Sequence, residues 1–184
     1  MKKIFLISTI IFLTAFSVKS QFFIGTTGEL LAPTSKFQDE IGYGAGWNFL
    51  LGYSINKKID VDLKYSQLFF PNTFYDKYRI SSISSSIKYF FNLKNCRPYL
   101  SIGAGYYLKK FDLFFSLKYE EKSLRICPSI GILADSKILK NLFVNTSLTY
   151  IKSVHIISQN MDYHSKKIDL FNFNVGLLYF FGND

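Results

Sequence analysis

The sequence predicts an all-β fold: an eight-stranded antiparallel up-and-down barrel that crosses a membrane with its strands. Three observations predict it. Apolar and polar residues alternate with a period of two from Gln21 to the C-terminus, and no helical period is sustained. The connections between these runs switch between short and long. One face of the runs is bulky and aromatic, while the other is small and mostly neutral.

Residues 1–20 read as a signal peptide and residues 21–184 as a single barrel domain. Lys2 and Lys3 make a positive start, Ile4 to Phe16 is an apolar run broken only by Ser and Thr, and Val18 and Ser20 occupy the −3 and −1 positions before Gln21. The apolar run is well short of the roughly 20 residues a spanning helix needs. A lipoprotein would carry Cys after the cleavage site, and Gln21 stands there. The formal charge of +9 includes Lys2, Lys3 and Lys19 of this leader. No later segment reads as a transmembrane helix, so a membrane-bound mature chain spans as strands, which satisfy their backbone groups in lipid only when closed into a barrel.

The first strand lies around Phe22 to Leu31. In the second, Tyr43, Ala45, Trp47, Phe49, Leu51, Tyr53 and Ile55 share one face, and Gly44, Gly46, Asn48, Leu50, Gly52 and Ser54 the other. The third sets Ile59, Val61, Leu63 and Tyr65 against Asp60, Asp62, Lys64 and Ser66. The fourth sets Ile83, Ile87, Tyr89 and Phe91 against Ser82, Ser84, Ser86 and Lys88. The fifth opposes Leu100, Ile102, Ala104, Tyr106 and Leu108 to Tyr99, Ser101, Gly103, Gly105 and Tyr107. In the sixth, Leu124, Ile126, Ile130 and Ile132 oppose Arg125, Cys127, Ser129 and Gly131. Pro128, which cannot donate to a ladder, predicts a bulge there. The seventh carries Leu142, Val144, Thr146, Leu148 and Tyr150 against Asn145, Ser147 and Thr149. The eighth carries Phe171, Phe173, Val175, Leu177, Tyr179 and Phe181 against Asn172, Asn174 and Gly176. Short turns are expected near 56–58, 92–97 and 136–141, and longer loops near 33–42, 71–78, 111–122 and 152–167. That alternation puts both termini at the short-turn end.

Alternation alone does not separate a membrane barrel from a soluble one. The interior of eight strands is just wide enough for side chains to fill, and the aromatic face would overfill it. The opposite face is mostly Gly, Ser, Asn and Thr, whereas a water-facing surface carries about 25–35% charged residues. The bulky face therefore points outward, into lipid. Aromatics near strand ends, Tyr43, Tyr53, Phe69, Phe70, Tyr89, Phe91, Tyr99, Tyr179, Phe180 and Phe181, are expected to form girdles at the bilayer interfaces.

The segment from Arg97-Pro98-Tyr99 to Gly103-Ala104-Gly105-Tyr106, the hairpin from Gly52-Tyr53-Ser54-Ile55 to Asp60-Val61-Asp62-Leu63, and the closing strand Leu177 to Phe181 resemble the outer-membrane β-barrel family with an OmpA- or OmpX-like eight-strand domain. The resemblance covers residues 21–184. It implies an outer-membrane location with both termini periplasmic. It also implies contact with outer-membrane lipids, and recognition of the aromatic C-terminal strand by the barrel-assembly machinery. Gly182, Asn183 and Asp184 follow the last Phe, which departs from an exact terminal match.

Inward-facing charges are expected at Asp60, Asp62, Lys64, Lys88 and Arg125. They read as a paired polar core in preference to an ion-selective constriction, with Asp62 and Lys88 at similar depth on neighbouring strands. His155 with Ser158, or His164 with Ser165, would suggest a lipid A deacylase, but neither spacing brings Ser to a His base, and a solvated loop is the plainer reading. Two histidines, two cysteines and scattered acids show no metal-ligand spacing, and no cofactor is expected. Gly42-Tyr43-Gly44-Ala45-Gly46 lacks the strand-to-helix context of a phosphate cradle. Cys96 falls in an end turn and Cys127 near mid-wall, too far apart for the roughly 7 Å a disulfide allows. The Asn145-Thr146-Ser147 sequon lies within a strand. Lys57, Lys58, Lys94, Arg97, Lys137 and Lys140 are solvated turn residues, with anionic headgroups as a sharper alternative. Export removes nucleic acid as a partner, and a monomer is favoured.

Three functions follow: a non-enzymatic outer-membrane protein acting in envelope integrity or surface contact through its loops, a narrow conduit for small solutes like OmpW, or a lipid-modifying enzyme. The first is favoured and the third least so.

Overall fold

The computed structural model describes residues 21–34, 42–71, 77–91, 96–112, 118–158 and 169–181. The signal-peptide region, His164 and Ser165 lie outside them. The strands are β1 (Gln21–Pro33), β2 (Gly44–Asn56), β3 (Ile59–Phe70), β4 (Lys77–Phe90), β5 (Cys96–Asp112), β6 (Lys118–Ile126), β7 (Ser129–Asp135), β8 (Leu142–Ser158) and β9 (Leu170–Phe181). All pairings are antiparallel, β4 pairs with β5, and β1 closes the ring against β9. β6 and β7 both lie between β5 and β8, so they are two halves of one wall strand and the ring has eight positions. Closure leaves no sheet edge around the belt, the condition for a strand to cross a bilayer. Phe22 opposite Phe181 puts both ends of the barrel domain at the short-turn end.

The alternation expected from sequence holds on every strand. Trp47, Phe49, Leu63, Ile83, Ile87, Leu100, Ile102, Ile130, Phe173 and Leu177 are exposed on the outer wall, whereas Asn48, Asp62, Ser84, Ser147 and Asn174 are buried within. From Ala45 to Ile55 the outward side chains cover about 33 Å of strand, or about 25 Å of barrel height at a tilt near 40°, the height of an outer-membrane apolar band.

Three expectations are corrected. Pro128 makes no bulge: Ala104 faces Ile126 before it and Ser101 faces Ser129 after it, so the register on β5 runs on unchanged. The proline interrupts only the hydrogen bonding. Cys127 exchanges both backbone bonds with Gly103, and the Tyr150 N–H donates to the Pro128 carbonyl at 3.0 Å, so the missing donor faces β8. The irregularity of this strand pair is on β8, where Leu124 faces His155 but Arg125 faces Ser153, leaving Val154 as the extra residue. The loop expected over 111–122 is mostly hairpin, since β5 runs to Asp112 and β6 starts at Lys118. Likewise β8 continues through His155 to Ser158, residues expected in a loop. Finally, Tyr99, Phe70 and Phe180 point into the barrel and not outward.

Candidate functional site

The site that this fold can build is the barrel lumen, and it has three layers. At the short-turn end Phe23, Phe90, Tyr99, Leu133, Leu178 and Phe180 form a buried apolar cluster with Leu50. At the loop end Leu31, Leu68, Phe70, Tyr78, Ile80 and Leu170 form a second, joined by Tyr107, Cys127 and Ile151. The inward face is therefore small and polar only in its middle. Glycines make room for the large rings: a β-carbon on Gly52 would lie 2.0 Å from the Phe23 ring, so only glycine fits there.

Between the plugs lies the polar layer, and the predicted charges sort within it. β3 and β4 bring Asp60, Asp62 and Lys88 together. The Lys88 ammonium sits 2.8 Å from an Asp62 oxygen, and Ser86 Oγ–H donates to the other at 2.9 Å. Asp60 is the direct cross-strand partner of Lys88, and the Ser54 hydroxyl bonds its carboxylate. The Lys88 ammonium also lies over the rings of Phe23 and Tyr99, 5.7 and 5.4 Å from their centroids, so the floor of aromatics solvates the charge from below. Lys64 turns the other way, to Glu29 at 3.4 Å. Arg125 stands apart from the other four. Its guanidinium is buried, stacks 4.9 Å from the Tyr107 centroid, and donates from Nε to Ser123 Oγ at 3.1 Å.

Sequence reasoning missed four members. Glu29 lies on the strand whose bounds were least legible. Asn48 Nδ2 donates to Glu29 Oε1 at 2.6 Å and to Thr27, making Asn48 the hub that joins β1, β2 and the Glu29–Lys64 pair. Lys109 pairs with Glu121 at 2.7 Å, both beyond the ends assigned from periodicity. Just outside them Lys110 and Glu120 pair at 2.6 Å on the outer surface. The alternation of Lys109 and Lys110 against Glu121 and Glu120, opposite each other in register, was the available signal. Tyr99 O–H donates to Asn145 Oδ1 at 2.9 Å, so the sequon asparagine is an interior residue of β8.

A cavity of about 50 Å³ remains in the polar layer, lined by Thr27, Asp62, Lys88, Tyr99 and Asn145 among others. It has room for a few water molecules and no larger solute. Cys127 meets the Tyr107 hydroxyl at 3.2 Å, and Cys96 faces Ala134, seven residues from Cys127. That separation is about 23 Å along the strand, far beyond disulfide reach. Among the described residues no group of three His, Cys, Asp or Glu side chains is placed to hold a metal ion.

On the outer wall, ring pairs Phe22–Tyr53, Tyr89–Phe91 and Tyr179–Phe181 stack edge to face at the short-turn end, with centroids 4.9, 5.3 and 4.9 Å apart. Tyr43 and Phe69 are exposed at the opposite end, where Arg79 lies 5.2 Å over the Phe69 ring.

No protein-family model and no curated protein matches the sequence. Solved structures do match it. Neisserial surface protein A aligns at 14% identity over 87% of this chain and 97% of its own, with a TM-score of 0.67. The outer membrane protein OprG from Pseudomonas aeruginosa aligns at 12% identity over 89% and 97%, with a TM-score of 0.58. The attachment invasion locus protein Ail of Yersinia pestis, in complex with the heparin analogue sucrose octasulfate, aligns at 16% identity over 88% and 97%, with a TM-score of 0.54. At such identities the likeness establishes the fold. The lipid-height apolar belt, the closed ring of eight and these neighbours agree: the chain has the fold of the OmpA- and OmpX-like eight-stranded outer-membrane barrels.

Proposed function

We propose that the chain is an integral outer-membrane protein without enzymatic activity, closed to solutes along its axis, that serves envelope integrity or surface contact through its loop-side rim. The observation that carries this reading is the layered lumen. A solute entering from either end meets a packed apolar cluster before it reaches the polar layer, whose charges are largely neutralised by their own neighbours. The charged cluster is accordingly structural: it holds β1, β3 and β4 in register and does not select ions. Residues 1–20 direct export, the barrel-assembly machinery inserts the chain, and both termini lie in the periplasm. Tyr43 and Phe69 form one interfacial girdle, and Tyr53, Tyr89, Phe91, Tyr179 and Phe181 the other. Ail is an attachment invasion locus protein that forms a complex with the heparin analogue sucrose octasulfate, and surface contact is the property we carry over.

Three measurements test this. The folded protein in detergent should migrate differently on a gel before and after boiling, and a single heat-independent band would remove the membrane-barrel reading. Reconstituted in planar bilayers it should show no conductance above that of lipid alone. Steady channel openings would favour the narrow conduit. Lipid A mass spectra with and without the protein should be identical, and an altered acyl pattern would restore the enzyme.

A further inference from the structure

The turn between β7 and β8 carries Lys137, Ile138, Leu139 and Lys140 in succession. Ile138 is 86% exposed and Leu139 59%, and both flanking lysines are exposed. The turn is ordered. Ser136 N–H donates to the Leu142 carbonyl at 2.9 Å, and Leu142 N–H returns a bond to the Leu139 carbonyl at 3.3 Å. Phe180 N–H ties Asn141 to β9 at 3.0 Å, and Asn141 adopts the left-handed conformation, φ 67°. The aliphatic pair is therefore held out by its backbone. A turn built only for water uses Gly, Asn, Asp and Ser at such positions, not adjacent branched aliphatics.

Its surroundings give the pair a partner. The turn lies at the short-turn end, directly past the outward rings of Phe22, Tyr53, Tyr89, Phe91, Tyr179 and Phe181. Lys57 and Lys58 are exposed at the same end, and Arg97 donates to the Lys57 carbonyl at 2.9 Å. At this end, among the described residues, Asp135 is the single exposed carboxylate against these five cations. Apolar side chains flanked by lysines at the level of an aromatic band have the composition of an interfacial anchor. The apolar groups enter the acyl boundary while lysine stems extend to the phosphates. Two aliphatic side chains are too small a patch for a stable protein interface, which buries about 800 Å² per partner.

We propose that the β7–β8 turn is a lipid anchor: Ile138 and Leu139 insert into the leaflet at the short-turn end, and Lys137 and Lys140, assisted by Lys57 and Lys58, bind the phosphates of anionic phospholipids. The proposal rests on the membrane-barrel reading. To test it, Leu139→Trp is placed in a Trp47→Phe chain and refolded into vesicles of phosphatidylcholine, with or without 30% phosphatidylglycerol as an illustrative dose. Acrylamide quenching of the new tryptophan should fall about threefold when the anionic lipid is present, and Lys137→Glu with Lys140→Glu should abolish that difference. Equal quenching in both vesicles, whether the residue is wet or shielded, overturns the proposal. A partner protein at this turn would leave the residue wet in both. Should the tryptophan variant not fold, native mass spectrometry of the wild-type chain decides. Retained phosphatidylglycerol that is lost with the double charge reversal supports the anchor, and retention unaffected by it overturns it. Heat-modifiable migration of the same samples reports separately on the barrel, so a failed anchor is not mistaken for a failed fold.

Discussion

Lys88 is buried between an aromatic floor and two carboxylates, and its charge is tolerable only because Asp62 accompanies it. Removing one partner leaves an uncompensated buried ion, whereas removing both removes the desolvation cost as well. Asp62→Ala is expected to lower the barrel's stability to urea in detergent by about 3–5 kcal/mol, and Asp62→Leu with Lys88→Met to recover most of that loss. Equal stability of the single and double variants would mean that the pair is not coupled. The charges that sequence reasoning found were those on clearly periodic strands. Glu29 and Asn48 were hidden for different reasons. Glu29 sits on a strand with Gly and Thr on both faces, and Asn48 is one of many small polar residues whose role as a hub exists only once β1 and β2 are paired.

Among the elements, the β6–β7 strand shows how far local rules carry. Proline removes a donor, and that much is dictated by chemistry. Whether the chain then bulges depends on its two neighbours, and here both hold their register past it. Pro128→Val should supply the missing N–H to Tyr150 without shifting the wall and raise stability by about 0.5–1.5 kcal/mol. Slow hydrogen exchange at the new amide would confirm the bond, and fast exchange would show that the strand is open there. Strand identity and facing were legible because a period of two survives any partner. Strand ends were not. Lys109, Lys110, Glu120 and Glu121 look like a solvated loop in isolation and become a ladder only when β5 meets β6. The apolar plugs escaped notice for a related reason. Phe23, Phe70, Phe90 and Phe180 each break the small-residue pattern of the inner face near a strand end, where an aromatic also suits an interface.

At the scale of the whole molecule, the wall gives the sharpest test of what surrounds it. Ile102 is exposed at mid-height, opposite Ile87. On a water-facing surface Ile102→Arg would change stability by no more than about 0.5 kcal/mol. Facing lipid, it should cost about 2–4 kcal/mol in phospholipid vesicles, measured by reversible denaturant unfolding. A neutral substitution would contradict the orientation of the wall.

The pairing of Phe22 with Phe181 has a practical consequence. The barrel's two ends emerge side by side, so the order in which the strands are encoded is separable from the order in which they stand. A linker of a few residues between residues 181 and 21, with a new break opened in the connection between β3 and β4, should give a permuted chain that refolds to the same heat-modifiable cylinder. In that chain an affinity tag would be carried to the opposite membrane face.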